Sequence, residues 1–143
     1  ENILDLIENF ILYDTAEGKT TKILARNHQY LGVNEAVEAY KNRRFNNGKL
    51  GVFWHTQGSG KSLSMVFFAK SIQDTIENPT IIVITDRNDL DGQLFGQFAK
   101  CAAFLRQTPE NAESRKDLRA RILGRRANGI IFTTMQKFEE YDL

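Results

Sequence analysis

Residues 55–62 read His55-Thr56-Gln57-Gly58-Ser59-Gly60-Lys61-Ser62, and this stretch decides the fold class of the 143-residue chain. The phosphate-binding loop of nucleoside triphosphatases follows the pattern G-x-x-x-x-G-K-[S/T]. Gly60, Lys61 and Ser62 fit its last three positions, whereas His55 stands where the pattern has its first glycine. The stretch therefore predicts a nucleoside triphosphate site, with one departure from the general pattern.

The residue types follow from what a loop around phosphate groups requires. A loop that leaves a strand and enters a helix points successive backbone N–H groups at one spot, where a helix N-terminus also favours an anion. Glycines let the backbone close on the phosphates without a Cβ in the way. We expect Lys61 to be the catalytic residue, with its charge against the β- and γ-phosphates, and Ser62 to offer its hydroxyl to Mg²⁺. The other loop residues expected to contact the nucleotide are Thr56, Gln57, Gly58, Ser59 and Gly60.

The segments around the loop predict a parallel α/β sheet. Residues 50–54 form a short apolar run typical of a strand, and residues 63–76 have the apolar spacing of a helix. Further along, strands are predicted at residues 80–85 and 129–133, and helices at 89–102, at 117–123 and from 135. This alternation is typical of an α/β P-loop fold in which helices flank a parallel sheet.

Upstream of the loop the sequence predicts mainly helices. Residues 2–13 have helical apolar spacing, and the polar residues 14–21 indicate a connecting loop. Residues 22–43 are predicted to be helical in two pieces, with a break around Gly32 and with Asn34 as the N-cap of the second piece.

Composition excludes several classes of protein. Hydrophobic residues make up 41% and charged residues 26% of the chain, as in an ordinary packed domain rather than a disordered one. No apolar run approaches the ~20 residues that a membrane-spanning helix needs. Cys101 is the single cysteine, which excludes an internal disulfide and fits a reducing compartment. We therefore expect a soluble cytoplasmic protein with no membrane contact.

Charged and metal-ligating residues outside the loop predict no second site. A basic run between positions 111 and 126 is typical of a solvated helix face. His55 is not expected to ligate a metal, because His28 and Cys101 offer no recognisable ligand spacing. The acidic cluster from Asp86 lacks the ligand oxygen and the glycine that a calcium loop needs at its fifth and sixth positions.

Read with its neighbours, the loop resembles a known family. WHTQGSGKSLSM at 54–65 is similar to the first helicase motif of the R (motor and restriction) subunit of type I restriction-modification enzymes, which also has histidine in place of the first glycine. TDRNDLDGQ at 85–93 resembles the family's next motif, and GIIFTTMQKF at 129–138 resembles a third. RNHQY at 26–30 matches its adenine-side element, with Asn27 where an aromatic residue is expected.

The resemblance implies a multidomain protein of which this chain is a part. That family has an N-terminal nuclease domain, two RecA-like superfamily 2 helicase lobes and a helical region that docks on a methyltransferase core. Residues 1–21 would be a helical connector from the nuclease domain, and residues 22–143 the N-terminal part of the first lobe. The acidic box that holds Mg²⁺ would lie past Leu143. The implied cofactors are ATP and Mg²⁺, and the implied partners are double-stranded DNA and the methyltransferase and specificity subunits.

The resemblance also suggests roles for residues outside the loop. Gln29 would hydrogen-bond adenine through its amide, with a weaker case for Arg26, although a solvated glutamine and an ion-paired arginine explain the same residues. Thr85 and Arg87 lie where motor lobes touch the DNA backbone, although their segment also suits a helix cap. The same interpretation applies to Thr133 and Thr134, since hydroxyl groups hold phosphate oxygens.

Three functions remain open from the sequence. The first is an ATP-driven translocase lobe that moves double-stranded DNA before a separate nuclease domain cleaves it. The second is a P-loop ATPase or nucleotide switch that uses no DNA and has no salt-dependent DNA affinity. The third is a chain that is inert by itself, because the acidic box and the second lobe lie elsewhere.

Overall fold

A computed structural model describes residues 2–86, 92–124 and 128–138, and divides the chain into two units, Glu1–Thr75 and Ile76–Leu143. The first unit carries the phosphate loop, and the second carries the motifs that begin at residues 85 and 129. Arg87 and the acidic residues after it lie outside the described residues, as do Arg125 and Arg126.

The first unit begins with a helix and a β-hairpin. Helix α1 (Asn2–Asn9) precedes strands β1 (Ile11–Ala16) and β2 (Lys19–Leu24), which pair antiparallel. Glu17 and Gly18 form the turn with φ angles of 52° and 77°, the positive values that a tight two-residue hairpin turn favours.

The predicted helix over residues 2–13 and loop over 14–21 are therefore wrong beyond Asn9. Of the predicted helical connector at residues 1–21, only α1 is helical. The hairpin was missed because β2 is exposed along almost its whole length. A strand without a buried face does not show the apolar–polar alternation by which strands are recognised.

Helix α2 (Asn27–Lys41) runs without a break through Gly32, so the predicted interruption and the N-cap at Asn34 are wrong. Gly32 serves packing instead. A Cβ at Gly32 would lie 2.2 Å from Cε2 of Phe53, so only glycine lets that ring contact the helix backbone. Glycine costs about 1 kcal/mol relative to alanine in a helix, and the contact with Phe53 is the structural reason for its presence here.

Residues 50–54 precede the loop but form no strand. Within the first unit β1 and β2 pair with each other, and a strand exists only where a partner completes its hydrogen bonds. Val52 and Trp54 are 87% and 89% exposed. The strand predicted at residues 50–54 is therefore wrong.

Helix α3 (Lys61–Thr75) confirms the helix predicted after the loop. It buries Val66 and Phe67 completely, and the Phe67 ring lies 5.5 Å from that of Phe10. Phe10 in turn contacts Tyr30 of α2 edge-to-face at 4.8 Å. These rings form the core of the first unit.

The second unit confirms the predicted parallel sheet flanked by helices. Its elements are β3 (Thr80–Thr85), α4 (Gln93–Lys100), α5 (Ala102–Leu105), β4 (Glu110–Asn111), α6 (Arg115–Leu123), β5 (Gly129–Thr134) and α7 (Met135–Phe138). The strand order is β3-β5-β4, and both pairings are parallel. Helix α5 and the two-residue β4 were not predicted.

The central strand β5 forms the core of this unit. Ile130 and Ile131 are completely buried, and Ile131 packs with Ala112 and Leu118. On Phe132, the rings of Phe95 and Phe98 pack edge-to-face at 5.3 and 5.1 Å. The short apolar run of a strand covered on both faces is what made β5 predictable.

Helix α6 carries the basic run and confirms its solvated face, since Arg115, Lys116 and Arg119 are exposed. Arg121 instead bonds Asp117 at 2.9 Å and Glu110 at 2.8 Å. The backbone N–H of Glu113 and the guanidinium of Arg121 lower the pKa of the Asp117 carboxyl below its usual range.

In the described ranges no helix is long and apolar enough to cross a membrane. Cys101 is a buried thiol between α4 and α5, and Nε2 of Gln97 donates to its sulfur at 3.7 Å.

Leu118 and Leu123 of α6 form a matched pair for testing this core, because they are 4% and 73% exposed. We expect Leu118→Ala to lower the free energy of unfolding by about 2–5 kcal/mol through the cavity it leaves beside Ile131. Leu123→Ala should change it by no more than about 0.5 kcal/mol. Chemical denaturation measures both, and equal losses would contradict the packing described.

Candidate nucleotide-binding site

The phosphate loop turns tightly before it enters α3. The N–H of Ser59 donates to the carbonyl of Thr56 at 3.2 Å, and the N–H of Ser64 donates to the carbonyl of Gly60 at 3.0 Å. Gly58 and Gly60 have φ angles of +78° and +88°, which side chains other than glycine rarely adopt. The glycines in the motif are therefore required by the backbone itself.

The first residues of α2 hold this loop by its carbonyl groups. Nε2 of His28 lies 2.8 Å from the carbonyl oxygen of Ser59, and Nε2 of Gln29 donates to the carbonyl of Gly60 at 2.9 Å. Oε1 of Gln29 accepts from the backbone N–H of Arg26 at 2.8 Å. The Gln29 side chain is thus fixed between the start of α2 and the loop.

This placement bears on the two residues of the adenine-side element. Gln29 is only 3% exposed and uses both ends of its amide within the protein, while Arg26 is exposed. The structure brings Gln29 to the loop. Whether either residue touches adenine stays a prediction.

Three aromatic rings contact one another beside the loop. The rings of Phe53 and His55 are nearly parallel, with centroids 4.3 Å apart and planes 7° apart, and the centroid of His28 lies 4.8 Å from that of His55. His55 therefore has a packing role at the position where the general pattern has glycine. Sequence reasoning gave His28 no metal-binding role and included it only as a member of the adenine-side element at 26–30. Its position next to Gln29 in that element is the signal that could have found this contact.

The polar side chains of the loop differ in exposure. Lys61, the first residue of α3, is exposed, as are Thr56 and Gln57, whereas Ser62 is half-buried. The Oγ of Ser59 is buried and has no hydrogen-bond partner in the described part of the chain. A buried hydroxyl without a partner is costly, so this atom marks a place where a polar ligand would compensate.

Helix α1 fixes the start of α2 from the other side. Tyr30 donates a hydrogen bond from its hydroxyl to Oδ2 of Asp5 at 2.9 Å. This bond raises the pKa of the Tyr30 phenol, because the nearby carboxylate favours the protonated hydroxyl. The residue after Gln29 is therefore tied to α1.

A cavity of about 590 Å³ lies beside the loop, between α2, α3 and residues 50–55. Its lining is mainly apolar, with Val33, Phe53, Trp54 and Phe68 contributing, and it includes Lys61. A concave, mainly apolar surface whose few charged side chains include Lys61 and Glu35 is typical of small-molecule sites. Nothing in the sequence indicated it, because its walls come from three separate segments.

In the second unit, the threonines predicted to contact DNA lie together at the carboxyl ends of two neighbouring strands. Thr85 pairs with Thr134 in register, and its hydroxyl donates to the carbonyl of Thr133 at 3.4 Å. Thr133 is only 2% exposed, whereas Thr85 and Thr134 are half-buried. Their contact with DNA stays a prediction, and Arg87 lies outside the described residues.

Comparison with known families gives one match that covers most of the chain. Residues 28–142 match the SWI2/SNF2 ATPase family. The matched range includes His28, the phosphate loop and the strands β3 and β5.

Individual relatives are subunits of restriction enzymes. The chain is 47% identical over 143 residues to the type I restriction enzyme HindI endonuclease subunit of Haemophilus influenzae, an alignment that covers 96% of this chain and 14% of that protein. It is 33% identical to a putative type I restriction enzyme endonuclease subunit, MjaIXP, of Methanocaldococcus jannaschii, over 96% of this chain and 13% of that protein. A third relative, the SsaAORF53P endonuclease subunit of Staphylococcus saprophyticus, is 30% identical over 73% of this chain. The chain thus spans about one seventh of the length of the first relative.

Substitution of the two loop glycines tests the contact with Gln29. A Cβ at Gly58 would meet open space, whereas one at Gly60 would lie 2.6 Å from Nε2 of Gln29. We expect Gly58→Ala to lower the free energy of unfolding by about 1–2 kcal/mol through backbone strain. Gly60→Ala should cost roughly 1–3 kcal/mol more, because it also displaces a buried hydrogen bond.

Chemical denaturation of both variants, alone and combined with Gln29→Ala, provides the control. Without the Gln29 amide, the two alanine substitutions should cost the same. Equal costs in the presence of Gln29 would show that the amide does not contact the loop as described.

Proposed function

Because the chain belongs to the SWI2/SNF2 ATPase family, we propose that residues 55–62 bind Mg·ATP and that the chain is the ATP-binding motor lobe of a type I restriction endonuclease subunit. The lobe couples ATP hydrolysis to translocation of double-stranded DNA, before a separate nuclease domain cleaves it. The observation that carries this proposal is an exposed Lys61 at the start of α3, directly after two glycines with positive φ.

The residues present fit a bound nucleoside triphosphate. The buried Oγ of Ser59 has no partner in the described ranges, and a phosphate oxygen would accept its hydrogen. The space beside Gly58 is open, so a phosphate group can approach the backbone there. The N-terminus of α3 adds the partial positive charge that an anion needs.

Each loop residue has a role in this proposal. Lys61 places its ammonium against the β- and γ-phosphates, and Ser62 supplies a hydroxyl ligand for Mg²⁺. Bound Mg²⁺ would neutralise phosphate charge during hydrolysis. Thr56, Gln57 and Ser59 surround the phosphates, while Gln29 and Arg26 lie on the side proposed for adenine.

DNA is proposed to cross the carboxyl ends of β3 and β5. Thr85, Thr133, Thr134 and Arg87 are the proposed contacts. Ligands of open α/β sheets bind beyond this edge, and the half-buried hydroxyls of Thr85 and Thr134 lie there. In the whole protein we propose that methyltransferase and specificity subunits are partners and that the complex works in the cytoplasm.

Replacing Lys61 tests nucleotide binding directly. We expect Lys61→Ala to weaken Mg·ATP affinity by roughly 10- to 100-fold, since hydrogen bonds to charged groups contribute about 1.5–3 kcal/mol. Lys41→Ala is the control, because Lys41 is an exposed lysine of the same unit whose ion pair with Glu38 lies on α2. Titration calorimetry measures both. A Lys61→Ala variant that binds as tightly as the wild type would refute the loop assignment. A folded wild-type chain that binds no Mg·ATP would favour a chain that is inert by itself, and the same titration would then be made with the full-length protein.

The DNA contacts are tested in the full-length protein by measuring duplex affinity at several salt concentrations. Arg87→Ala should reduce the slope of log affinity against log salt by about 1, because one cation no longer neutralises a phosphate. Thr85→Ala and Thr134→Ala should weaken binding about fivefold, the effect of one hydrogen bond, without changing the slope.

Thr80→Ala is the matched control, since Thr80 is an exposed threonine at the opposite end of β3. Its duplex affinity should equal that of the wild type. Duplex affinity that does not depend on salt would favour the nucleotide switch over the translocase.

A further inference from the structure

The contact between His28 and the phosphate loop defines the state of the histidine ring. Nε2 of His28 lies 2.8 Å from the carbonyl oxygen of Ser59. A carbonyl oxygen only accepts hydrogen bonds, so Nε2 must carry the proton. The neutral ring is therefore the Nε2–H tautomer, with the lone pair on Nδ1.

The position of that carbonyl determines the direction of the next N–H group. In a planar trans peptide the C=O and the following N–H point to opposite sides. Because His28 holds the Ser59 carbonyl on the side of α2, the N–H of Gly60 points away from α2. The Gly60 carbonyl accepts from Gln29 and from the N–H and hydroxyl of Ser64 in the first turn of α3. The N–H of Lys61 therefore points away from these donors.

Two adjacent side chains thus orient two successive peptide groups. The positive φ of Gly60, +88°, places these groups in a conformation that glycine can leave easily. A loop that is free to rotate at Gly60 would lose the convergent N–H groups on which anion binding depends. The hydrogen bonds from α2, together with those from the first turn of α3, restrict that freedom.

The His28 ring is itself held in place. His55 lies against it at a centroid distance of 4.8 Å, and Phe53 stacks on His55 at 4.3 Å. Phe53 contacts the backbone of α2 at Gly32, where a Cβ would lie 2.2 Å from the ring. The three rings therefore contact α2 at both ends, because His28 belongs to α2 and Phe53 lies against its backbone. His55 lies between these two rings.

We propose that His28 is a positioning residue for the nucleotide site, which turns the Gly60 and Lys61 N–H groups toward the phosphates by holding the Ser59 carbonyl. This inference rests on the proposed function, since it assigns His28 to the same ATP site. Gln29 contributes by its hydrogen bond to the Gly60 carbonyl. His55 holds the His28 ring in place through ring contact.

Two substitutions of similar length separate the hydrogen bond from the size of the side chain. His28→Gln keeps an amide donor near the position of Nε2, whereas His28→Met has no donor. We expect His28→Met to weaken Mg·ATP affinity about tenfold, the effect of one oriented hydrogen bond at the site. His28→Gln should remain within about threefold of the wild type.

Calorimetric titration measures Mg·ATP affinity under conditions in which all variants are folded. The free energy of unfolding of each variant is measured separately, without nucleotide. A purely structural role would lower the stability of both variants relative to the wild type but leave the affinity of the folded protein unchanged. His28→Met with wild-type affinity would overturn the inference. If, in that case, the wild type binds Mg·ATP and Lys61→Ala does not, the proposed function stands although the inference fails.

A second measurement tests the positioning role of His28 without nucleotide. At pH 8, where histidine is mostly neutral, the ¹⁵N shifts of the wild-type imidazoles should show the Nε2–H form of His28. The amide signals of Gly60 and Lys61 should move in His28→Met and stay close to wild type in His28→Gln. An Nδ1–H tautomer, or equal amide shifts in both variants, would overturn the positioning role, even if the wild type bound no Mg·ATP.

Discussion

The conformation of the phosphate loop depends on two hydrogen bonds, which consecutive residues of α2 make to consecutive carbonyls of the loop. His28 and Gln29 are 31 residues distant in sequence from Ser59 and Gly60. Closing a loop of that length costs conformational entropy, and the loop's glycines add more freedom to be lost. The core of Phe10, Tyr30 and Phe67, together with the bond from Tyr30 to Asp5, holds α2 where its first turn can meet the loop.

The elements predicted correctly from the sequence are those whose burial leaves a recognisable apolar pattern. Helix α3 has helical apolar spacing and strands β3 and β5 are short apolar runs, because each packs apolar side chains in the core of its own unit. The hairpin β1–β2 has none, since β2 is almost entirely exposed. Gly32 was misjudged for a different reason: glycine breaks helices by propensity, but here a ring from a distant segment requires it.

In the candidate site, too, the residues predicted correctly are those that follow from spacing along the chain. Contacts between distant segments were not predicted. Spacing alone predicted the glycines, Lys61 and Ser62, because phosphate binding requires them in a fixed order along the chain. The partner of the Ser59 carbonyl could not be predicted, since it depends on where α2 docks. Residues 50–54 were expected to pair as a strand, and the sequence contained no information on which strand would be available to them. The burial of Thr133 beside Thr85 likewise depends on the register of β3 against β5.

Strand β3 occupies one edge of the three-stranded sheet, with β5 as its single partner among the strands of the described ranges. Its sequence is Thr-Ile-Ile-Val-Ile-Thr, and Ile84 is 45% exposed. An apolar strand edge is a template onto which another extended chain can add. We therefore expect concentrated solutions of this polypeptide to favour self-association by strand addition at β3, a tendency that a charged residue at an outward-facing position of that strand would counter.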